Sequence, residues 1–239
     1  MSNTNLKNKP IVKLKTNTKV FVPTQTTYFL LEAIKKKINK KKKLQIIDMG
    51  CGNGVLGVSL LKIFNNIQKL TFTDVSKESL NNCKKNIKLN NLEKKNSEFI
   101  LSNVFQNIHN QKFDLMINDI SGISEAVAKI SPWFRNISCK SGKDGTNLTI
   151  SFLKNYKKYL NSKGKVFFPI ISLSNEKIIF DFLKKNKIKY RVLLEKKWPM
   201  PKSFLNHMNL LKKLKSKKYI NFEEQFGMII AKTKIIYLI

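Results

Sequence analysis

The chain has 239 residues, 42% of them hydrophobic, enough to bury a substantial core and few enough for one α/β domain to use nearly all of them. Its nine glycines and six prolines form no Pro/Gly/Ser-rich stretch, which argues against a flexible linker between two large domains, and no internal repeat is visible. A formal charge of +31 points towards nucleic acid or another anionic surface. Only Arg135 and Arg191 are arginines, however, and arginine is the usual bidentate reader of phosphate. An RNA or ribosome contact and a solvated Lys-rich surface therefore both stay open. Cys51, Cys83 and Cys139 are isolated and odd in number, which argues against a disulfide framework or a zinc site and fits a reducing compartment. The segment Met1 to Lys19 is polar and basic without an apolar h-region, and no apolar run approaches membrane-spanning length, so a cytoplasmic protein without a membrane partner is expected.

In chain order, Val20-Phe21-Val22-Pro23 reads as a short extended piece, and Tyr28, Leu30, Leu31 and Ile34 give Thr24 to Lys37 a helical spacing, with Thr24, Thr26 or Thr27 as its cap. Residues 1–43 are thus expected to form an N-terminal arm and helix, and residues 44–239 the main domain. Leu44 to Asp48 is an apolar run ending in a carboxylate. Met49-Gly50-Cys51-Gly52-Asn53-Gly54 follows, and then the helical pattern of Val55, Leu56, Val58, Leu60, Leu61 and Ile63: strand, glycine loop, helix. Leu70 to Asp74 makes a second strand, and Ser76 with Ser79 opens a helix reaching about Leu89, which completes a βαβ unit.

The alternation continues with strands at Phe99 to Leu101, Phe113 to Asn118 and Lys165 to Ile170, and a helix near Leu148 to Leu160. Asn175 to Lys185 reads as helical, and Tyr190 to Glu195 and Phe226 to Ala231 as extended, before an apolar tail from Ile235 to Ile239. The last strands lack crossover helices of the earlier kind, so an antiparallel pair is expected at one sheet edge. The whole predicts a Rossmann-like α/β fold: a mostly parallel central sheet with helices on both faces and an antiparallel edge.

Asp48-x-Gly50-x-Gly52-x-Gly54 resembles the first motif of class I S-adenosylmethionine-dependent methyltransferases. The resemblance implies that Gly50, Cys51, Gly52, Asn53 and Gly54 cradle the amino-acid end of S-adenosylmethionine, with Asp48 orienting the loop or meeting the ligand's ammonium through water. Asp74, with Val75 after it, stands about 20 residues beyond the last glycine, where a carboxylate can accept both ribose hydroxyl protons. Gly52-x-Gly54-x-x-Gly57 also satisfies the dinucleotide fingerprint, but a carboxylate two residues before Gly50 suits an ammonium better than a pyrophosphate. Asn103 and Val104 occupy the position where the family reads the adenine amino group; a local role for Asn103 is the alternative.

Further along, the entry segment Val20 to Pro23 with Thr27, the fourth strand Phe113 to Asn118 and Gly142-Lys143-Asp144-Gly145 ahead of Leu148 resemble the N5-glutamine methyltransferases of release factors and related amino-group methyltransferases. The family's Asn-Pro-Pro-Tyr is here Asn118-Asp119-Ile120-Ser121. Asn118 keeps an acceptor for an amino proton and adjoins the cofactor, while Asp119 offers a second acceptor or a general base, so these two are the expected catalytic residues. Trp133 and Phe134 are read either as an aromatic wall or as ordinary packing, and Trp198-Pro199-Met200-Pro201 as a stiff segment on the substrate side or as core. His109 and His207 lack metal-like partners at useful spacing, and no metal is expected. Lys212, Lys213 and Lys215 among Leu210, Leu211 and Leu214 read as the solvated face of a helix. The expected reaction is methyl transfer to a nucleophile, nitrogen foremost, of a protein or small molecule. RNA methylation and a non-catalytic S-adenosylmethionine-binding module are the alternatives.

Overall fold

The computed structural model describes residues 11–120 and 122–239. Ser121 and the first ten residues of the expected arm lie outside the described residues. Eight strands form one sheet: β1 (Leu44–Met49), β2 (Ile67–Asp74), β3 (Ser97–Leu101), β4 (Phe113–Asn118), β5 (Leu160–Ile171), β6 (Tyr190–Pro199), β7 (Glu223–Gln225) and β8 (Met228–Leu238). Their order is β3-β2-β1-β4-β5-β8-β6, with β7 paired to β8. Strands β1 to β5 run parallel, and β8 is antiparallel to both β5 and β6.

Alternation along each strand sends side chains to two faces. Ile46, Leu115, Ile117, Phe167 and Ile235 bury against α1 (Gln25–Lys37), α2 (Val55–Ile63) and α3 (Lys77–Leu89). Ile47, Met116, Val166, Phe168 and Ile236 bury against α5 (Asn147–Tyr159) and α6 (Glu176–Lys185). Coverage on both faces is why successive residues of the inner strands, such as Ile46 and Ile47 or Leu115, Met116 and Ile117, are apolar instead of alternating with polar ones. A third cluster joins α4 (Glu125–Ile130) and α7 (Met208–Ser216) through Val127, Phe204, Leu211, Leu214 and Ile229. Helix α1 shares its core with β1 and α2, so the segment before Leu44 is packed into the same layer structure.

Several local expectations are corrected. Ser76 and Asn175 cap α3 and α6, accepting from the backbone of Ser79 and Ile178. Thr24 holds the N-cap position of α1 without any side-chain capping bond, and Thr26 and Thr27, inside the helix, bond instead to Thr233 and Asp119. The apolar tail from Ile235 is no tail: Met228–Leu238 is one strand set between β5 and β6, and Phe226-Gly227 is its turn, with φ of +51° and +69°. Strand β5 begins at Leu160, with a register irregularity between its pairings to Phe113 and Leu115. Among the described residues, no helix is long and apolar enough to cross a membrane.

Candidate active site

A cleft of about 1940 Å³ opens at the carboxyl ends of β1, β2 and β4. The parallel strands diverge there on either side of β1, so the loops after β1 and β4 leave a crevice between them. The glycine loop forms its floor. Gly50 has φ +70°, and a Cβ there would stand 2.8 Å from Ile120 Cγ1, so glycine lets the chain beyond β4 close on the loop. Gly54 (φ +81°) has the same relation to α3, where a Cβ would meet Cys83 Sγ at 2.3 Å. Gly50, Cys51, Gly52 and Asn53 line the cleft, whereas Gly54 lies beneath it.

Asp74 ends β2 with both oxygens engaged. Oδ2 accepts from the Gly52 backbone at 2.9 Å and Oδ1 from the Ser76 backbone at 2.9 Å, so the carboxylate ties the glycine loop to the start of α3 while facing the cleft. Burial raises its pKa, against the lowering effect of these donors. Asp48 is fully buried and does not line the cleft; Oδ2 accepts from the Gly57 backbone at 2.9 Å, and Oδ1 has no partner among the described residues. Loss of hydration pushes its carboxyl up to about 7, with Asp119 and Asp74 adding to the rise. Asn53, 2% exposed, leaves Nδ2 without a partner among the described residues, and Oδ1 accepts from Val55. A free buried donor on the loop and a free buried acceptor on the strand before it suit a ligand end that carries both a carboxylate and an ammonium.

The far end of the cleft holds Val75, Leu101, Asn103 and Val104. Val75 is 68% exposed, a large apolar surface left for a ligand. Val104 adopts φ +51°, a conformation that β-branched residues avoid, and is held there by Ser102, whose hydroxyl donates to the Val104 carbonyl at 3.0 Å.

Beyond β4 the two expected catalytic residues part company. Asn118 is 3% exposed and does not line the cleft; its Oδ1 accepts from the Ile120 backbone at 3.2 Å. The chain turns immediately after the strand, and that turn uses the amide that was expected to hold an acceptor. Asp119 does line the cleft, and Thr27 Oγ1 donates to its Oδ2 at 2.8 Å. Enclosure pushes the Asp119 carboxyl up to about 7, and the threonine bond opposes the rise. Thr26, one residue earlier, stands 3.3 Å from the Thr233 hydroxyl, so the first turn of α1 straps the end of β4 to the middle of β8. Trp133, Phe134 and Trp198 to Pro201 also line the cleft. Thr26, Thr233 and Lys19 are cleft residues that the motifs do not reveal, because the insertion of β8 and the fold-back of the arm bring them there. His109 and His207 are exposed.

Comparison with known proteins agrees with this geometry. The family model for the methyltransferase small domain matches residues 12–119. A protein of Methanocaldococcus jannaschii assigned as a protein N5-glutamine methyltransferase is 26% identical over 188 residues, covering 79% of this chain and 90% of its own. The release factor glutamine methyltransferase of Lactococcus lactis is 33% identical over 108 residues, covering 45% of this chain and 38% of its own, so the chain spans well under half of that relative. Among solved structures, the ribosomal protein L11 methylase of Lactobacillus delbrueckii superposes with a TM-score of 0.56 at 18% identity, covering 90% of this chain and 80% of the other.

Proposed function

We propose that this chain, whose residues 12–119 match the methyltransferase small domain, is a class I S-adenosylmethionine-dependent methyltransferase and that it methylates a nitrogen of a protein or small-molecule acceptor in the cytoplasm. The observation that carries the reading is the approach of the β4 end to the glycine loop: Ile120 packs on Gly50, and Asp119 faces the same cleft as Asp74. An acceptor beside Asp119 is thereby next to the cofactor loop. Bound S-adenosylmethionine supplies a methyl group already activated on a sulfonium sulfur. The protein's own work is alignment and exclusion of water, so no nucleophilic His or Cys constellation is required.

In this reading Asp74, Val75, Asn103 and Val104 hold the nucleoside half, and Gly50 to Asn53 the amino-acid half. Asp48 and Gly54 act from beneath the loop, the first through its bond to Gly57 and the second by admitting Cys83. Asp119 meets the acceptor. Asn118 works at one remove, fixing the chain past Asp119 through its bond to Ile120. Tritium transfer from labelled cofactor to fractionated cell protein, RNA and metabolites tests the proposal. Label should enter protein or small molecules. Label confined to RNA makes RNA the substrate, and cofactor binding without label in any fraction leaves a binding module.

A further inference from the structure

The carboxylate at the acceptor end of the cleft is unusually placed. Asp119 Oδ2 is held by Thr27, and no hydrogen bond from the described residues reaches Oδ1. Lys19, Lys77, Lys140, Asp74 and Glu78 also line the cleft, and Asp48 lies behind the loop, yet among the described residues no cation pairs with Asp119. A half-buried carboxylate without a counter-charge is unfavourable, and in a chain of net charge +31 the lack of a lysine partner does not follow from shortage.

The acceptor's chemistry follows from what stands beside this group. A carboxamide nitrogen is planar, with its lone pair delocalised, and needs two rigid acceptors for its two protons. Asn118 is withdrawn from the cleft, and the stiffening prolines are absent. An aliphatic amine has the opposite requirement. It arrives as a cation and must lose a proton before its lone pair exists, so one carboxylate can serve as counter-ion and then as base.

We propose, building on the methyltransferase reading, that the acceptor is an aliphatic amine, a lysine side chain or an α-amino group, which enters as the ammonium ion and pairs with Asp119. One ammonium N–H bond breaks and its proton passes to Oδ1. The nitrogen lone pair then forms the bond to the methyl carbon as the carbon–sulfur bond breaks, its electron pair staying on sulfur. The sulfonium becomes a neutral thioether and the product leaves as a methylated ammonium ion. Asp119 returns its proton to water. The enclosure that raises this carboxyl also makes it a better base than an ordinary aspartate. Thr27 is a positioning residue, turning Oδ1 towards the acceptor.

Two measurements test this. In the first, protein saturated with S-adenosylhomocysteine is titrated with n-butylammonium and with butyramide, the neutral carboxamide, and read by tryptophan fluorescence. Both tryptophans of the chain line the cleft. Butylammonium should bind roughly five- to tenfold tighter at pH 8, the gain of a charged over a neutral hydrogen bond. Asp119→Asn should erase that preference and leave S-adenosylhomocysteine affinity intact. If the variant instead weakens S-adenosylmethionine alone and leaves the amine preference unchanged, Asp119 serves the sulfonium and the proposal is overturned.

The second needs no variant. The fraction labelled by tritium transfer is hydrolysed in hot strong acid and then made alkaline, so that an N-methylamide yields volatile methylamine and an N-methylamine survives on its non-volatile amino acid. Label should remain as methyl-lysine or as an Nα-methyl amino acid, and which of the two appears identifies the source of the amine. Volatile label overturns the amine while leaving the methyltransferase reading standing. No label in any fraction removes that reading itself.

Discussion

Asp74 shows how one side chain carries both structure and chemistry. Its two oxygens accept from Gly52 and Ser76, so the group proposed to meet the ribose also fixes the glycine loop. Asp74→Ala should cost about 1.5–3 kcal/mol in S-adenosylhomocysteine binding, the range for hydrogen bonds to a charged group. Calorimetry showing unchanged affinity would remove Asp74 from the site. Gly57 answers the dinucleotide fingerprint differently. A Cβ there would lie 2.3 Å from Phe72 Cε1 and 3.0 Å from Asp48 Oδ2, so this glycine permits α2 to pack on β2 and is no sign of NAD. Gly57→Ala should destabilise the protein by about 1–3 kcal/mol through overpacking, measured by denaturant unfolding. That Gly50, Gly52 and Asp74 line one cleft follows from motif spacing, whereas the withdrawal of Asp48 and Gly54 beneath it depends on how the loop packs on α3 and Gly57. The division of labour between Asn118 and Asp119 was not legible either, because it depends on how the chain turns after β4.

At the scale of elements, legibility followed locality. The units β1–α2 and β2–α3 declare themselves through apolar runs, glycines and the Ser76 cap, all within a few residues of sequence. Strand β8 hides, because Lys232, Thr233 and Lys234 interrupt its apolar pattern. Inside the sheet, Lys234 finds Glu176 at 2.9 Å and the Phe180 ring, and Thr233 finds Thr26. Helix α4 is six residues long, too short for periodicity to announce. The arm is tied down by a device that spacing cannot reveal. Asn86 and Asn90 on α3 each accept from and donate to the backbone of the arm, at Lys15 and Lys13, with distances from 2.7 to 3.2 Å. Val12 buries beside them. These amides imitate a neighbouring strand and lead the chain towards Lys19 and Phe21 on the cleft wall. Replacing both asparagines with alanine should lose about 0.5–1.5 kcal/mol per bond. Faster hydrogen exchange at the Lys13 and Lys15 amides, with weaker cofactor binding, is the expected outcome. Unchanged protection there would show that the apolar contacts alone hold the arm.

For the molecule as a whole, the excess of cations is a surface property, whereas the buried carboxylates govern how stability responds to pH. Asp48 has its carboxyl raised from 3.8 to about 7, and Asp119 is raised in the same direction. Between about pH 4 and 7 the unfolded chain has released these protons while the folded chain still holds them, so stability falls as pH rises through that window and levels above it. Asp114 and Glu98 are lowered and act with the opposite sign, but their contributions are lost only at acid pH, below the ordinary carboxylate range. The ligand-free protein should therefore melt at a higher temperature at pH 5 than at pH 8. Asp48 alone accounts for a difference on the order of 2–3 kcal/mol, since about two pH units of the window lie between pH 5 and its raised value and one unit corresponds to about 1.4 kcal/mol. Asp48→Asn keeps an oxygen for the Gly57 amide and removes the charge, so it should flatten the profile and raise stability at pH 8 while weakening cofactor binding. Saturating S-adenosylhomocysteine should flatten the wild-type profile as well, because an ammonium bound on the glycine loop places a positive charge above this buried carboxylate. Calorimetric melting of both proteins at the two pH values is sufficient. A wild-type melting temperature that is equal or higher at pH 8 would mean that Asp48 is ionised without penalty in the empty fold, and its charge could then not be held in reserve for the ligand.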